Sequence, residues 1–204
     1  MTRTEKAAAT RARVLEAAHT LFLSHGYAAT TTRQIADDAD VTERTLYNIA
    51  ANKSDLLRQV LLTYVFDQDY GPLLERKDFA DVVNSPSPDE FLTHYAGWVT
   101  RLHHRTASMA EVVRAAAPVD PGAAEIWSWG NGQQITDCLN LARLLHQRGW
   151  LRDDLTPEEA ARSLAVLSGH ETYWRLVTEQ HWTRQRYQAW LRRHCAVELA
   201  LSTA

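Results

Sequence analysis

The sequence contains few of the features that mark exported or membrane-embedded proteins. Only two cysteines, Cys138 and Cys195, occur in 204 residues, and such sparse cysteines are typical of reduced thiols rather than of a disulfide framework. No run of about 18 apolar residues could cross a bilayer, and the first residues, MTRTEKAAATRAR, lack the apolar core of a secretory signal. We therefore expect a cytoplasmic protein without a membrane partner.

A large excess of charge of one sign is also absent. The formal net charge is -3, so a nucleic-acid or membrane partner would have to be recognised by a local surface rather than by bulk charge. The hydrophobic content of 45% excludes a disordered chain and suits one or two domains with a substantial core.

Alternating strand patterns are missing, and helix signals occur throughout. Ser87-Pro88 and Thr156-Pro157 each start a helix with a capping residue followed by proline, and Asp120-Pro121 opens another. The sequence predicts an all-α protein with a polar linker over residues 76–88. Gly130 and Gly132 lie inside an apolar helical run, where they indicate a kink or a close helix contact.

Residues 31–48, TTRQIADDADVTERTLYN, predict two very short helices. Thr31 caps the first, with Gln34 completing a capping box, and Thr42 caps the second. Helices this short are only marginally stable alone, so contacts with neighbouring helices must stabilise them. Small Ala36 and Ala39 let the two helices cross closely around a tight turn, which is the arrangement of a helix-turn-helix.

This stretch, followed by NKSDLL, resembles the DNA-binding motif of the TetR family of bacterial transcriptional regulators, in register from about residue 10 to residue 57. The resemblance implies an N-terminal three-helix helix-turn-helix DNA-binding domain, residues 1–52, and a C-terminal helical ligand-binding and dimerisation domain, residues 53–204. Only the layout of the second domain matches the family, because that domain varies in sequence.

The resemblance also implies roles for individual side chains toward operator DNA. The chemistry agrees, since arginine pairs with guanine and asparagine with adenine, and a lysine at a helix N-terminus favours an external anion as partner. The predicted contacts to phosphates come from Thr45, Tyr47 and Lys53, those to the backbone or an adjacent base from Thr32 and Arg33, and those to base edges from Glu43, Arg44 and Asn48.

Two positions depart from the family pattern. Asp40 stands where the family usually has a turn glycine, and Ile49-Ala50 replaces the usual aromatic pair. Aspartate tolerates left-handed backbone better than most residues, so we expect the turn to survive. The acidic residues Asp37, Asp38, Asp40 and Glu43 would repel phosphates, which predicts low non-specific affinity. Basic residues near the start either reach DNA or are simply solvated.

The C-terminal part carries more apolar surface than a short core needs. Two helices are predicted there, one over residues 156–181 and one after it, and a homodimer through them explains the surplus. Two-fold symmetry would present two recognition helices to a palindromic operator. The apolar positions are Ala160, Leu164, Leu167, Trp174, Val177, Tyr187, Trp190, Leu191, Val197 and Leu199.

Aromatic and imidazole groups between these parts suggest a ligand pocket. Helical spacing pairs His94 with Trp98 and His170 with Trp174, and Trp127 and Glu171 extend the set, with Glu171 as a counter-charge for a flat or partly cationic molecule. For any one of these residues, a place in the core is the simpler interpretation.

Enzyme motifs fail on spacing. The second histidine of a zinc-protease helix is replaced by Trp174, and adjacent His103 and His104 point in different directions. We predict no enzyme and no cofactor or metal.

The predicted function is a ligand-responsive repressor released from its operator by a small apolar or aromatic effector; the alternatives are a helical small-molecule binding protein or an activator that uses the same motif.

Overall fold

In the computed structural model, which describes residues 2–65 and 71–199, the chain is built from α-helices, and these residues contain no strand. The predicted all-α class is confirmed. Contacts divide the chain into an N-terminal unit, residues 1–68 with 108–129, and a C-terminal unit, residues 69–107 with 130–204. None of the described helices is both long and apolar enough to span a membrane.

The N-terminal unit contains the predicted helix-turn-helix. The first helix ends before Gly26, whose φ of 78° suits a residue without Cβ and whose N–H donates to the Phe22 carbonyl. The helices are α1 (Arg3–His25), α2 (Thr32–Asp38), α3 (Glu43–Ile49) and α4 (Lys53–Val60), the last continued by a π-helical turn, Leu61–Val65.

Side-chain caps start the two short helices where the sequence places them. Thr31 and Gln34 form a reciprocal capping box at α2, and the Thr42 hydroxyl accepts from the Thr45 N–H at α3. Between them Asp40 adopts φ 52°, which confirms the left-handed turn expected without glycine. The two helices therefore begin at residues whose side chains satisfy otherwise unpaired N–H groups.

The C-terminal unit is formed by longer helices. Helices α6 and α7 contribute residues to both units. After two 3₁₀ turns, Leu73–Glu75 and Lys77–Phe79, the elements are α5 (Ala80–Val83), α6 (Pro88–Ala116), α7 (Pro121–Gln147), α8 (Pro157–Leu167), α9 (His170–Tyr173) with its π-helical continuation Trp174–Glu179, and α10 (Arg184–Leu199).

The domain boundary predicted between residues 52 and 53 stays a prediction. By contacts, α4 packs with α1 in the N-terminal unit. Residues 1, 66–70 and 200–204, which the prediction also assigned to domains, lie outside the described residues.

Two local expectations were wrong, and one of the two alternatives for a third is excluded. Residues 76–88 are not a linker, because Phe79 and Val82 are buried in the core. The helix expected over residues 156–181 breaks at Gly169, whose ψ of 154° is extended and where a Cβ would lie 2.8 Å from the Ala165 carbonyl oxygen. A Cβ at Gly130 or Gly132 would meet no atom within 4 Å, so close contact does not explain those glycines.

Each unit has its own apolar core. In the N-terminal unit, Ile35 of α2 and Leu46 of α3 are completely buried, and this burial holds two helices that are too short to be stable alone. The end of α6 and the start of α7 complete this core with Met109, Val113, Ala116, Ala123 and Ile126. The C-terminal core contains both cysteines, which are free, and burial raises the pKa of each thiol to about 12.

Candidate functional site

Helix α3 exposes the side chains that the sequence assigns to base edges. Glu43, Arg44 and Asn48 are exposed, as is Tyr47 at 49%, whereas Leu46 between them is completely buried. Positions separated by three or four residues share a helix face, so the buried leucine attaches α3 to the core while the polar residues face away from it. A short helix with one buried anchor and an exposed polar face is typical of helices that lie in the major groove of DNA.

The residues predicted to contact the DNA backbone lie around this face. The Thr32 hydroxyl and the Tyr47 hydroxyl are 3.2 Å apart, which joins the start of α2 to α3. The Thr45 hydroxyl lies 2.9 Å from that of Thr42, within the cap of α3. Arg33 is exposed and its Nε lies 4.0 Å from the Asp37 carboxylate, a distance at which an exposed pair contributes little to stability.

Lys53 has internal partners that the sequence did not predict. Its Nζ donates to the carbonyls of Tyr27 (2.9 Å) and Thr30 (3.0 Å) and lies 4.1 Å from the centre of the Tyr27 ring. Burial lowers the pKa of this ammonium, against the opposing charge of Asp120. Because an ammonium has three donors, these two bonds leave one N–H for an external anion.

A second polar contact in this unit was also missed. The Tyr27 hydroxyl donates to Asp120 at 2.8 Å, and the other Asp120 oxygen accepts from the Ala123 N–H at the start of α7. Nearby, a Cβ on Gly122 would lie 2.3 Å from the Ser54 hydroxyl. The starts of α4 and α7 therefore approach so closely that only glycine fits, a contact between distant segments that spacing could not reveal.

The basic residues near the start of the chain do not form a frayed terminus. Helix α1 begins at Arg3 behind a capping box of Thr2 and Glu5. Arg13 donates to the carbonyl of Ala39 at 3.2 Å, so this arginine holds the turn between α2 and α3.

The six residues predicted to line a ligand pocket have different surroundings. His170 and Glu171 are in contact, Nδ1 to carboxylate 3.0 Å, and the hydrogen bond from His170 lowers the pKa of Glu171. His94 lies against Ser85 and Asp81, and Trp98 donates to Asp78. Trp174 packs on the C-terminal core and Trp127 on the N-terminal core. Their joint pocket stays a prediction.

Adjacent His103 and His104 do point in different directions, as predicted. His103 is buried with its Nε2 2.7 Å from the Ser168 carbonyl, so this nitrogen is the donor, and burial lowers the pKa of the ring to about 4. His104 is exposed and lies at the edge of a cleft.

That cleft is the main feature of the C-terminal unit that sequence reasoning missed. It measures about 430 Å³ and lies between the middle of α6 and the start of α10. Trp98, Arg101 and Arg105 line it from one face of α6, and Arg184 lines it from α10. The helical spacing of the first three was readable in the sequence, whereas the approach of Arg184 depends on tertiary structure.

Comparison with known proteins places the N-terminal motif in a described family. Residues 14–60 match the model of "Bacterial regulatory proteins, tetR family". A 69-residue stretch is 36% identical to an uncharacterised HTH-type transcriptional regulator, YvkB of Bacillus subtilis (strain 168). The match covers 34% of this chain and 35% of YvkB, so it spans about a third of each protein.

Solved structures share the fold over nearly the whole chain. NalD, the secondary repressor of the MexAB-OprM multidrug efflux pump in Pseudomonas aeruginosa, has a TM-score of 0.69 and 22% identity, over 95% of this chain and 98% of NalD. The SmeT–triclosan complex has a TM-score of 0.70 and 19% identity, over 93% of this chain and 90% of SmeT. At these identities the similarity establishes the fold alone.

Proposed function

Because residues 14–60 match the model of the tetR family of bacterial regulatory proteins, we propose that the chain is a DNA-binding transcriptional regulator of that family rather than an enzyme. The observation that carries the proposal is the exposed polar face of α3, attached to the core by Leu46. A completely buried leucine flanked by exposed Arg44 and Asn48 gives this short helix a fixed orientation and leaves its hydrogen-bonding groups free of the core.

In this proposal α3 enters the major groove and reads base edges. Arg44 donates to guanine and Asn48 pairs with adenine, with Glu43 as an acceptor beside them. The backbone contacts come from Thr32, Arg33, Thr45, Tyr47 and Lys53. Of these, Lys53 contributes the one N–H that its bonds to the Tyr27 and Thr30 carbonyls leave over.

We further propose that the protein acts as a homodimer through α8 and α10. Much of the apolar surface that suggested a dimer is used within the chain, since Ala160, Leu164 and Leu191 are completely buried. Two valines remain on the outside, Val166 at 70% exposed and Val197 at 78%. A self-complementary interface there would present two copies of α3 to a palindromic operator.

The proposed response is release from the operator when an apolar or aromatic effector binds. NalD is named a repressor, and SmeT was solved with triclosan. An effector releases DNA only if it prefers a conformation in which the recognition helices are misplaced. The turn between α6 and α7 is a candidate relay, because both helices contribute to both units and Asp120 at this turn accepts from Tyr27.

Sequencing the genomic fragments that the purified protein retains tests DNA binding most directly. We expect selective enrichment of a site made of two inverted half-sites about one DNA turn, or a multiple of it, apart. Retention of fragments without any common sequence would contradict the proposal, and enrichment of a single unrepeated half-site would contradict the two-fold arrangement.

Sedimentation at micromolar concentration tests the dimer separately. We expect Val166→Glu combined with Val197→Glu to give a monomer, because two charges on each copy would have to be buried in the interface. The matched control is Val119→Glu, which changes an equally exposed valine (70%) in the N-terminal unit. A monomeric parent protein, or a dimer unaffected by the double change, would disprove this interface.

A further inference from the structure

The cleft of the C-terminal unit has a composition unlike that of an apolar effector pocket. Its volume of about 430 Å³ lies in the range of small-molecule sites, about 300–1,000 Å³. It is formed by the middle of α6, the first two turns of α10 and the 3₁₀ turn before α5. The lining residues are Asp78, Gly97, Trp98, Thr100, Arg101, Leu102, His104, Arg105, Arg184, Gln185 and Gln188.

Three arginines give the cleft its charge. Arg101, Arg105 and Arg184 are all exposed and carry guanidinium groups. They come from two helices, so the positive charge surrounds the cleft instead of following one surface stripe. Arginine forks match carboxylate, sulfonate and phosphate groups through paired hydrogen bonds.

The acidic residue in the lining offsets only part of this charge, because its hydrogen-bond partners are Arg76 and Trp98. Both Asp78 oxygens accept from Arg76, at 3.0 and 2.9 Å, and one also accepts from the Trp98 indole at 3.1 Å. Burial alone would raise the pKa of Asp78, but these bonds and the charges of Arg76 and Arg105 lower it. Asp78 is therefore an ionised group whose charge is offset by Arg76, outside the lining.

Donors converge over a glycine on the wall of the cleft. A Cβ on Gly97 would lie 3.3 Å from an Arg101 guanidinium nitrogen and 3.4 Å from the Gln188 amide nitrogen, so these two donors from different helices meet above the same backbone position. Arg184 is the first residue of α10, and the positive end of that helix dipole adds to the attraction for an anion. Leu102 and the edge of Trp98 supply an apolar wall.

We propose that this cleft binds a small organic anion, a planar body carrying a carboxylate or sulfonate group. Arg101 and Arg184 hold the anionic group, Gln188 donates to it, and the planar body lies against Trp98 and Leu102. The ligand class is opposite in charge to the partly cationic molecule that the aromatic and imidazole pattern suggested. All the lining residues belong to the C-terminal unit, so the inference stands independently of DNA binding.

Calorimetry with a matched probe pair tests the charge requirement. We expect naphthalene-2-carboxylate to bind the full-length protein and naphthalene-2-carboxamide, which has the same body without the charge, to bind at least about tenfold more weakly. Equal affinity for the two probes would overturn the proposal. Inorganic phosphate serves as a third probe: competition at the affinity of the carboxylate would show a general anion surface and would overturn the assignment of an organic ligand.

Single substitutions test the location. Arg101→Gln and Arg184→Gln should each weaken carboxylate binding at least about tenfold, while leaving the thermal transition of the protein unchanged because both side chains are exposed. The control is Arg152→Gln, an exposed arginine of the same unit that pairs with Asp154 outside the cleft. Binding that survives both cleft substitutions, or that falls equally in the control, would place the anion elsewhere.

Discussion

The exposed polar face of α3, which we propose as the recognition face for DNA, and the cleft of the C-terminal unit are both polar surfaces, but they are assembled over different distances in sequence. The side chains around α3 come mainly from residues 32–48, whereas the cleft joins Asp78, residues 97–105 and residues 184–188. A surface made from one short segment leaves a readable motif. A surface made by three segments does not, because no regular spacing relates residues of different segments.

The two regions also differ in how they depend on their cores. Helices α2 and α3 are seven residues each and exist because of tertiary contacts, while α6, which carries much of the cleft, runs for 29 residues. We therefore expect the recognition face to be sensitive to core changes and caps. The cleft should respond mainly to loss of its own side chains.

The largest effect is expected for Leu46→Ala. Removing the completely buried anchor of α3 should lower the free energy of unfolding of the N-terminal unit by about 2–5 kcal/mol and abolish selective DNA retention. Denaturant titration provides the measurement, with Leu23→Ala, on the exposed side of α1 (42%), as the matched control. Similar losses at Leu46 and Leu23 would contradict the view that α3 depends on its anchor.

Lys53→Met should separate an internal role from a DNA-backbone role. Losing two bonds from a charged donor to the Tyr27 and Thr30 carbonyls should lower stability by about 1.5–3 kcal/mol. If the third N–H also meets a phosphate, the slope of log affinity against log salt should fall by about 0.9. The control is Lys77→Met, which changes an exposed lysine of the other unit and should alter neither quantity. An unchanged salt slope in Lys53→Met would exclude a contact between Lys53 and a phosphate.

Arg44→Ala should affect recognition without affecting the fold. Loss of a paired contact to guanine should cost about 1–3 kcal/mol at the selected operator, measured by titration of labelled DNA, while the thermal transition stays in place. Arg58→Ala is a suitable control, since Arg58 is an exposed arginine of the same unit that lies near Glu125. Unaltered operator affinity would exclude Arg44 from base readout.

The smallest effect is expected at the cap of α2. Thr31→Ala removes the hydroxyl that accepts from the Gln34 N–H and should lower stability by about 1 kcal/mol. Thr31→Ser keeps the hydroxyl and should restore most of that loss in the same denaturation experiment. An equal loss in both variants would show that the methyl group, rather than the cap, stabilises this position.

Some local structures could be predicted from the sequence and others could not, and the difference has physical reasons. The caps at Thr31, Thr42 and Thr156 were predictable because capping depends on residues three positions apart. The break at Gly169 was not, since the apolar pattern continues through it and the close approach of the Ala165 carbonyl appears only after folding. The buried turn around Phe79 was mistaken for a linker because its polar neighbours dominate the composition.

Among the candidate site residues, the same limit applies. The exposure of Arg44 and Asn48 around a buried Leu46 followed from helical periodicity, but the two internal bonds of Lys53 join residues more than twenty positions apart. The aromatic and imidazole pattern predicted one pocket, which stays a prediction; the spacing did not reveal that Trp127 packs on one core and Trp174 on the other. Spacing identifies the face of a helix that a residue occupies. It does not identify the residues that pack against that face, because they come from distant parts of the chain.

The sequence by itself determined the all-α class, the starts of the capped helices and the two short helices of the helix-turn-helix, because these depend on periodicity and on contacts within a few residues. Only the tertiary structure decided that Lys53 is bound internally, that Tyr27 meets Asp120, and that arginines of α6 and α10 surround one cleft. Those arrangements bring together segments far apart in the chain, and their geometry is set by core packing, which local propensity does not encode.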